Sequence, residues 1–380
     1  MRKIIRISTI PDSINTFYKG LLRDMQENDG YEIVVISSPG EALEDIRNRE
    51  GVKIHAVSME RKMAPLKDLR SLWGLIKIFC KEKPDMVHSI TPKAGLLSMM
   101  AAWVCRIPVR LHTFTGLIFP TSKGLKQKIL ILTDKLTCAC ATHIVPEGEG
   151  VRHDLHQYNI TTKPLKVLGF GNIMGVDLKR FDPQDSGVIK AAEKIRKDGV
   201  FTFIFIGRLV GDKGINELIV AFKRLNQELP NTRLILVGPE EHNLDPLKSE
   251  TILEIERNEA IEAVGKKHDV RPWLLASDAF VFPSYREGFP NVVIEAGAMN
   301  LPSIVTDING SREIIIDGEN GVIIPSKNSD ALYRAMKSFI ENPNMLRKYG
   351  QNARPMVASR FEQSYVRQCL KDYYKEILSK

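Results

Sequence analysis

Twice along this chain, short runs of apolar and β-branched residues alternate with stretches of helical period, and the pattern restarts near the middle. In the first half the strand-like runs are residues 3–8, 32–37, 52–57, 85–89, 109–113, 143–145 and 165–168. Helical patterns cover 16–26, 66–81, 94–104, 125–136 and 148–157. In the second half the runs are 201–206, 233–237, 279–282, 303–306 and 321–324. They are separated by helical patterns over 214–228, 251–259, 291–299, 329–341 and 364–378. Such alternation predicts α/β architecture with parallel sheets. A chain of 380 residues is long for one core. The expected fold class is therefore α/β with two doubly wound, Rossmann-like domains facing across a cleft. The segment from Gly169 to Pro183 reads as the connection, since Gly169, Gly171 and Gly175 permit a bend and Asp182-Pro183 breaks any helix. Ligands of doubly wound sheets bind at the carboxyl ends of the strands, so a facing pair is expected to build one shared site.

Charge is placed unevenly. Residues 1–170 carry 25 Lys and Arg against 17 Asp and Glu, whereas residues 171–380 carry 29 of each, so the first half holds the whole formal excess of +8. Two stretches concentrate it, Arg61 to Lys83 and Lys123 to Lys128, and both lie among apolar residues such as Trp73 and Ile118. A Lys or Arg near an anionic leaflet gains roughly 1 kcal/mol. This half is thus expected to meet an anionic membrane surface through Arg61, Lys62, Lys123, Lys126 and Lys128, with an ordinary solvated basic face as the competing reading. Nucleic acid is not an expected partner, because aromatics do not alternate with the cations. Five cysteines (Cys80, Cys105, Cys138, Cys140 and Cys369) show no paired metal spacing, and neither a secretory leader nor a run of ~18 apolar residues is found. The expected location is cytoplasmic, peripheral on the inner face of the cell membrane.

Two segments carry chemistry. Residues 206–214 read IGRLVGDKG, between a strand and an amphipathic helix. Glycines let the backbone approach a ligand, and a helix N-terminus offers free N–H groups with a favourable dipole. Arg208 and Lys213 add full charges there, a combination suited to a diphosphate. Neither the NTPase phosphate loop nor the dinucleotide fingerprint is present. Residues 283–297 read PSYREGFPNVVIEAG, where Pro290 can open a helix. Glu287 falls in the loop and Glu295 about one turn into the helix. One carboxylate can accept from sugar hydroxyls and the other can grip a ribose diol. The backbone N–H groups of Gly288, Phe289, Asn291 and Val292 remain for sugar and phosphate.

Together, IGRLVGDKG, the pair Glu287 and Glu295 within YREGFPNVVIEA, and TDINGSREIIIDGENGVII downstream resemble a large family of retaining glycosyltransferases, the family 4 type. The resemblance covers nearly the whole chain and implies the GT-B architecture. It implies an acceptor-binding domain over 1–170, a nucleotide-sugar-binding domain over 171–360, and a last helix, about 361–380, that crosses back to the first domain. By the same resemblance Arg208 and Lys213 neutralise the donor diphosphate, Glu295 binds the ribose hydroxyls and Glu287 contacts the transferred sugar. His112, at a strand end in RLHTFTG, matches the family's histidine beside that sugar. HSITPKAGLL and HTFTG resemble a branch that builds capsule, O-antigen and lipid-linked oligosaccharides on polyprenyl diphosphate. This implies acceptor contacts at His88, Thr91 and Lys93, the last at a helix N-terminus suited to a diphosphate. The chain departs from many relatives in its first loop, Ser8 to Asn15, which lacks their glycine pair.

No D-x-D sequence occurs, so neither a metal nor a cofactor is expected, and the leaving charge falls to Arg208, Lys213 and helix N-termini. The implied reaction moves an N-acetylhexosamine or related hexose from a UDP-linked donor to a polyprenyl-diphosphate-linked sugar, with retention. Three other readings stand beside it: a hydrolysing nucleotide-sugar 2-epimerase of the same fold, a transferase with a soluble glycan acceptor, and a non-catalytic scaffold. The presence of Arg208, Lys213 and both glutamates argues against the scaffold.

Overall fold

The computed structural model describes residues 1–60, 64–241 and 245–379, which form two compact units. Unit 1 comprises Met1–Met174 and Tyr365–Lys380, and unit 2 comprises Gly175–Ser364.

Unit 1 is built on β1 (Lys3–Ile7), β2 (Glu32–Ser37), β3 (Lys53–Ala56), β4 (Met86–Ile90), β5 (Val109–Phe114) and β6 (His143–Pro146). All pairs are parallel, in the order β3-β2-β1-β4-β5-β6. Successive side chains alternate between two cores. Ile5, Ile7 and Val87 face helices Pro65–Glu82, Pro92–Val104 and Gly124–Cys140. Ile4, Met86 and Leu111 face helices Pro11–Phe17, Leu21–Asp29, Glu41–Glu50 and the C-terminal Gln363–Leu378. Burial on both faces is why these strands read as nearly continuous apolar runs.

Unit 2 contains β7 (Phe201–Ile206), β8 (Thr232–Val237), β9 (Ile261–Gly265), β10 (Ala279–Phe282), β11 (Ser303–Thr306) and β12 (Gly321–Ile324). Its order is β12-β11-β10-β7-β8-β9, again all parallel. Each sheet therefore winds outward in both directions from a central pair, β1 with β4 and β7 with β10. The crevice at such a reversal is where ligands of these sheets bind. This is the two-domain α/β fold of the GT-B class.

Several expected elements differ. Residues 165–168 form no strand: Leu165 makes a single bridge to Ile144, and Pro164 just before it has no N–H to give. Ile261–Gly265, not expected, is an edge strand whose alternate residues face outward. The helical pattern over 16–26 is two helices, parted at Gly20, where φ is +77°. Among the described residues no helix is long and apolar enough to cross a membrane. Arg61 and Lys62 lie outside the described residues.

Candidate active site

The segment after β7 turns through a short 3-10 stretch, Gly211–Lys213, before helix Ile215–Glu228. Gly214 sits there at φ +72°, and a Cβ on it would lie 2.1 Å from the Pro283 carbonyl oxygen. Only glycine lets this loop close on the end of β10. The two loops are then tied together. Tyr285 N–H donates to the Asp212 carbonyl at 2.8 Å, and the Arg286 guanidinium meets the Asp212 carboxylate at 3.1 Å. The Lys213 ammonium forms an ion pair with Glu287, and Ser284 Oγ donates to the same carboxylate at 2.8 Å. Lys213 also lies 5.6 Å from the centre of the Phe282 ring. Thr306, at the end of β11, donates to the Ser284 carbonyl. Arg208 pairs with Glu241 at 2.7 Å, both side chains partly exposed. Arg208 and Lys213 are thus each paired with a carboxylate, Glu241 and Glu287.

Pro290 precedes helix Asn291–Ala298 without any side-chain cap. The Val293 N–H turns back to the Pro290 carbonyl at 3.0 Å, and Pro290 itself has no polar side chain with which to cap the helix. Gly310 brings the β11 loop onto this N-terminus: a Cβ there would lie 2.6 Å from the Gly288 carbonyl oxygen and from Pro290 Cδ. Phe289 is buried against Phe361, so its side chain belongs to the core. Val292 is half-buried. Glu295, one turn into the helix, keeps some exposed surface, but its carboxylate makes no hydrogen bond or ion pair among the described residues. Burial pushes its carboxyl up to about 7, opposed weakly by the charge of Arg180.

In unit 1, the β1–β4 reversal gathers the other predicted residues. His112 is buried on β5, its Nδ1 2.8 Å from Ser89 Oγ, and its ring packs edge-on against Phe114. A Cβ on Gly95 would fall 2.3 Å from His112 Cε1, so that glycine makes room for the imidazole. Burial pushes the ring down to about 3, against a small opposing effect of Ser89. It is neutral at any physiological pH. Thr91 is bonded to Thr9, hydroxyl to hydroxyl at 2.8 Å, and Thr9 in turn accepts from the Ala94 N–H at 3.2 Å. Side chains thus organise the glycine-free first loop. Lys93 pairs with Asp68 at 2.5 Å.

His88 has a different setting. It is 1 % exposed, with Nε2 2.7 Å from Thr113 Oγ1 and Nδ1 2.5 Å from the Tyr374 hydroxyl. Arg6 also donates to Nδ1, so that nitrogen carries the lone pair and Nε2 the proton. Burial first, then the charge of Arg6, holds the ring well below its ordinary pKa. Both nitrogens are used inside the core, which leaves none for an acceptor. The sequence reading missed Arg6, Asp68, Ser284 and Tyr374. Arg6 carried a signal, a charge in the otherwise apolar run of β1. Ser284 carried one too, as the first hydroxyl after a buried strand.

Residues 189–356 match the family model described as glycosyl transferases group 1, and residues 14–171 match that of a glycosyl transferase 4-like domain. The chain is 30 % identical over 378 residues to the capsular polysaccharide biosynthesis glycosyltransferase CapM of Staphylococcus aureus, covering 99 % of this chain and 98 % of that one. It is 26 % identical to an Escherichia coli UDP-Gal:α-D-GlcNAc-diphosphoundecaprenol α-1,3-galactosyltransferase, over 89 % of this chain and 87 % of the relative. Among solved structures, HepE of Anabaena in complex with UDP superposes with a TM-score of 0.82 at 17 % identity, covering 99 % and 100 % of the two chains.

Proposed function

The chain belongs to the group 1 glycosyltransferases of the GT-B fold, and from that premise we propose that it assembles a bacterial surface polysaccharide on a lipid carrier. It moves a hexose or N-acetylhexosamine from a UDP-linked donor to a sugar on polyprenyl diphosphate, at the cytoplasmic face of a membrane. One observation carries the donor side: the Lys213 ammonium, the Glu287 carboxylate and Ser284 Oγ are held together in the loops that follow β7 and β10, at the central reversal of the unit 2 sheet. The relatives support the acceptor. Two of them act on diphosphoundecaprenol-linked sugars by name, the E. coli enzyme and one from Campylobacter jejuni.

In this reading the donor diphosphate displaces Glu287 from Lys213 and Glu241 from Arg208, and its oxygens take up the helix N–H groups. Glu287, released, accepts from hydroxyls of the sugar, and Glu295 accepts from the ribose diol. The bond from the anomeric carbon to the diphosphate oxygen breaks with oxocarbenium character. The acceptor hydroxyl attacks from the same face, and its proton passes to the departing diphosphate. Within unit 1, neutral His112 is held by Ser89 and can serve as a hydrogen-bonding group. Preorganised cations and dipoles of this kind supply several kcal/mol in a dry site, so no metal is required. Within unit 1, Thr91 and Lys93 face the acceptor side, and His88 serves to fix the core beneath them.

UDP should raise the melting temperature by binding only the folded protein. Arg208→Ala should remove most of that shift, because charge-assisted contacts are the stronger ones. Turnover, read as UDP released and lipid-linked disaccharide formed, should survive EDTA. No stabilisation by millimolar UDP or GDP would defeat the donor assignment, and UDP-N-acetylglucosamine turnover without acceptor would point to the epimerase instead.

A further inference from the structure

The outer layer of unit 1 carries apolar side chains that no described residue covers. Helix Pro92–Val104 packs between helices Pro65–Glu82 and Gly124–Cys140, and all three bury one side in the same core. Their opposite sides are not polar throughout. Along Gly124–Cys140 the outward residues Leu125, Ile129, Leu132 and Leu136 recur at four, three and four positions. They form one stripe about 17 Å long, with Leu125 73 % and Leu132 66 % exposed. On Pro65–Glu82 the same occurs with Leu66, Leu69 and Trp73, Leu66 being 87 % exposed. Trp103 and Val104 are exposed at the end of the middle helix.

Cations frame these stripes. Lys123, Lys126, Lys128 and Lys135 flank the first, while Arg70, Lys77 and Lys81 share the helix of the second. None of the seven pairs with a carboxylate among the described residues. The acids of these helices point elsewhere. Asp68 holds Lys93, and Glu82 is buried under Lys3, Lys53 and His55. Asp134 is half-buried on the side of its helix away from Leu125.

The charge pattern selects the occupant. A two-fold contact joins the same patch on both copies, so a second copy would bring two sets of these lysines together across a dry seam. An anionic bilayer satisfies both features: acyl chains take the leucines, headgroups the lysines, and tryptophans favour the interface.

We propose that this three-helix face is a docking surface for an anionic lipid bilayer, with Leu66, Leu69, Trp73, Leu125 and Leu132 entering the interface. The proposal rests on the lipid-linked acceptor reading, and its test separates the two. Co-sedimentation with vesicles of phosphatidylglycerol and phosphatidylcholine should show binding that weakens on going to pure phosphatidylcholine or to high salt. Reversing Lys126, Lys128 and Lys135 to Glu should lower partitioning by ~100-fold or more, at roughly 1 kcal/mol for each cation lost. Leu125→Ser with Leu132→Ser should lower it on the order of 100-fold at every salt concentration, from the lost burial of two leucines. Leu132→Trp should tighten it, a gain that misfolding does not mimic. Thermal stabilisation by UDP should be unchanged in all three.

Equal partitioning of the wild type and these variants overturns the proposal. So does a leucine variant that turns a dimer into a monomer while vesicle binding persists, because a second copy is then the occupant. If the wild type ignores vesicles yet elongates a detergent-dispersed polyprenyl-diphosphate sugar, the surface falls and the acceptor reading stands. If it binds vesicles as described but elongates only soluble glycans, the surface stands and the acceptor reading falls.

Discussion

Glu295 is the residue whose chemistry depends most on its surroundings. Its carboxyl, raised by burial to about 7, is largely protonated at pH 6 and ionised at pH 8. A ribose diol is gripped by the carboxylate, which has only acceptors to offer, so UDP affinity should rise with pH. Titration calorimetry should give a dissociation constant on the order of tenfold tighter at pH 8 than at pH 6, and Glu295→Gln should bind more weakly with no such slope. The sign for stability is the reverse. A folded-state pKa above the unfolded one favours the neutral acid, so stability is full below the ordinary carboxylate range and is lost as pH rises through 7. The ligand-free Gln variant should therefore melt higher than wild type at pH 8. A flat affinity profile in the wild type sinks the ribose assignment. The sequence placed Arg208, Lys213 and Glu287 in their loops and Glu295 in the helix that follows, because strand ends, glycines and Pro290 are local signals. It did not contain the pairing of Lys213 with Glu287 or Lys93 with Asp68, since those meet only when distant segments fold together.

At the scale of elements, legibility followed burial. Strands buried along nearly their whole length, such as β2 and β7, are largely apolar runs and were read from the sequence with the bounds they have. The edge strand β9 was not, because Glu262, which pairs with Arg233 and Lys197, interrupts its apolar run and Ala263 and Gly265 are exposed. Helix Gln363–Leu378 was legible as a helix, yet what it seals was not. Its Tyr374 hydroxyl accepts from Arg6 and bonds His88, so a buried guanidinium of β1 depends on a residue 368 positions away. Tyr374→Phe keeps the ring and removes that partner, leaving a charged donor less satisfied in a dry core. A loss of about 1–3 kcal/mol is expected in urea unfolding. Arg6→Met in the same background should recover part of it, because the stranded charge goes too. If the single Phe variant unfolds like wild type, the network has no structural weight.

For the whole molecule, the decisive asymmetry is how the two units use the chain. Unit 2 is one continuous segment, Gly175–Ser364, closed around a single core. Unit 1 is discontinuous and takes its last helix from the far end of the sequence. That helix contributes Leu370, Tyr373, Tyr374, Ile377 and Leu378 to the core on one face of the unit 1 sheet. Burying a side chain of this size stabilises by roughly 1.5–3 kcal/mol, so five together contribute on the order of 10 kcal/mol. The whole stability of a domain is about 5–15 kcal/mol. Removing the helix also strips Arg6 and His88 of the Tyr374 hydroxyl. The fragment Gly175–Ser364 expressed alone should therefore fold cooperatively and bind UDP, while having no transferase activity. Residues 1–174 alone should give no cooperative thermal transition by circular dichroism, and should regain one when residues 363–380 are fused through a flexible linker. A sharp melt of 1–174 without that helix would show that the core of unit 1 closes by itself, and that the helix is an accessory to the fold and not one of its walls.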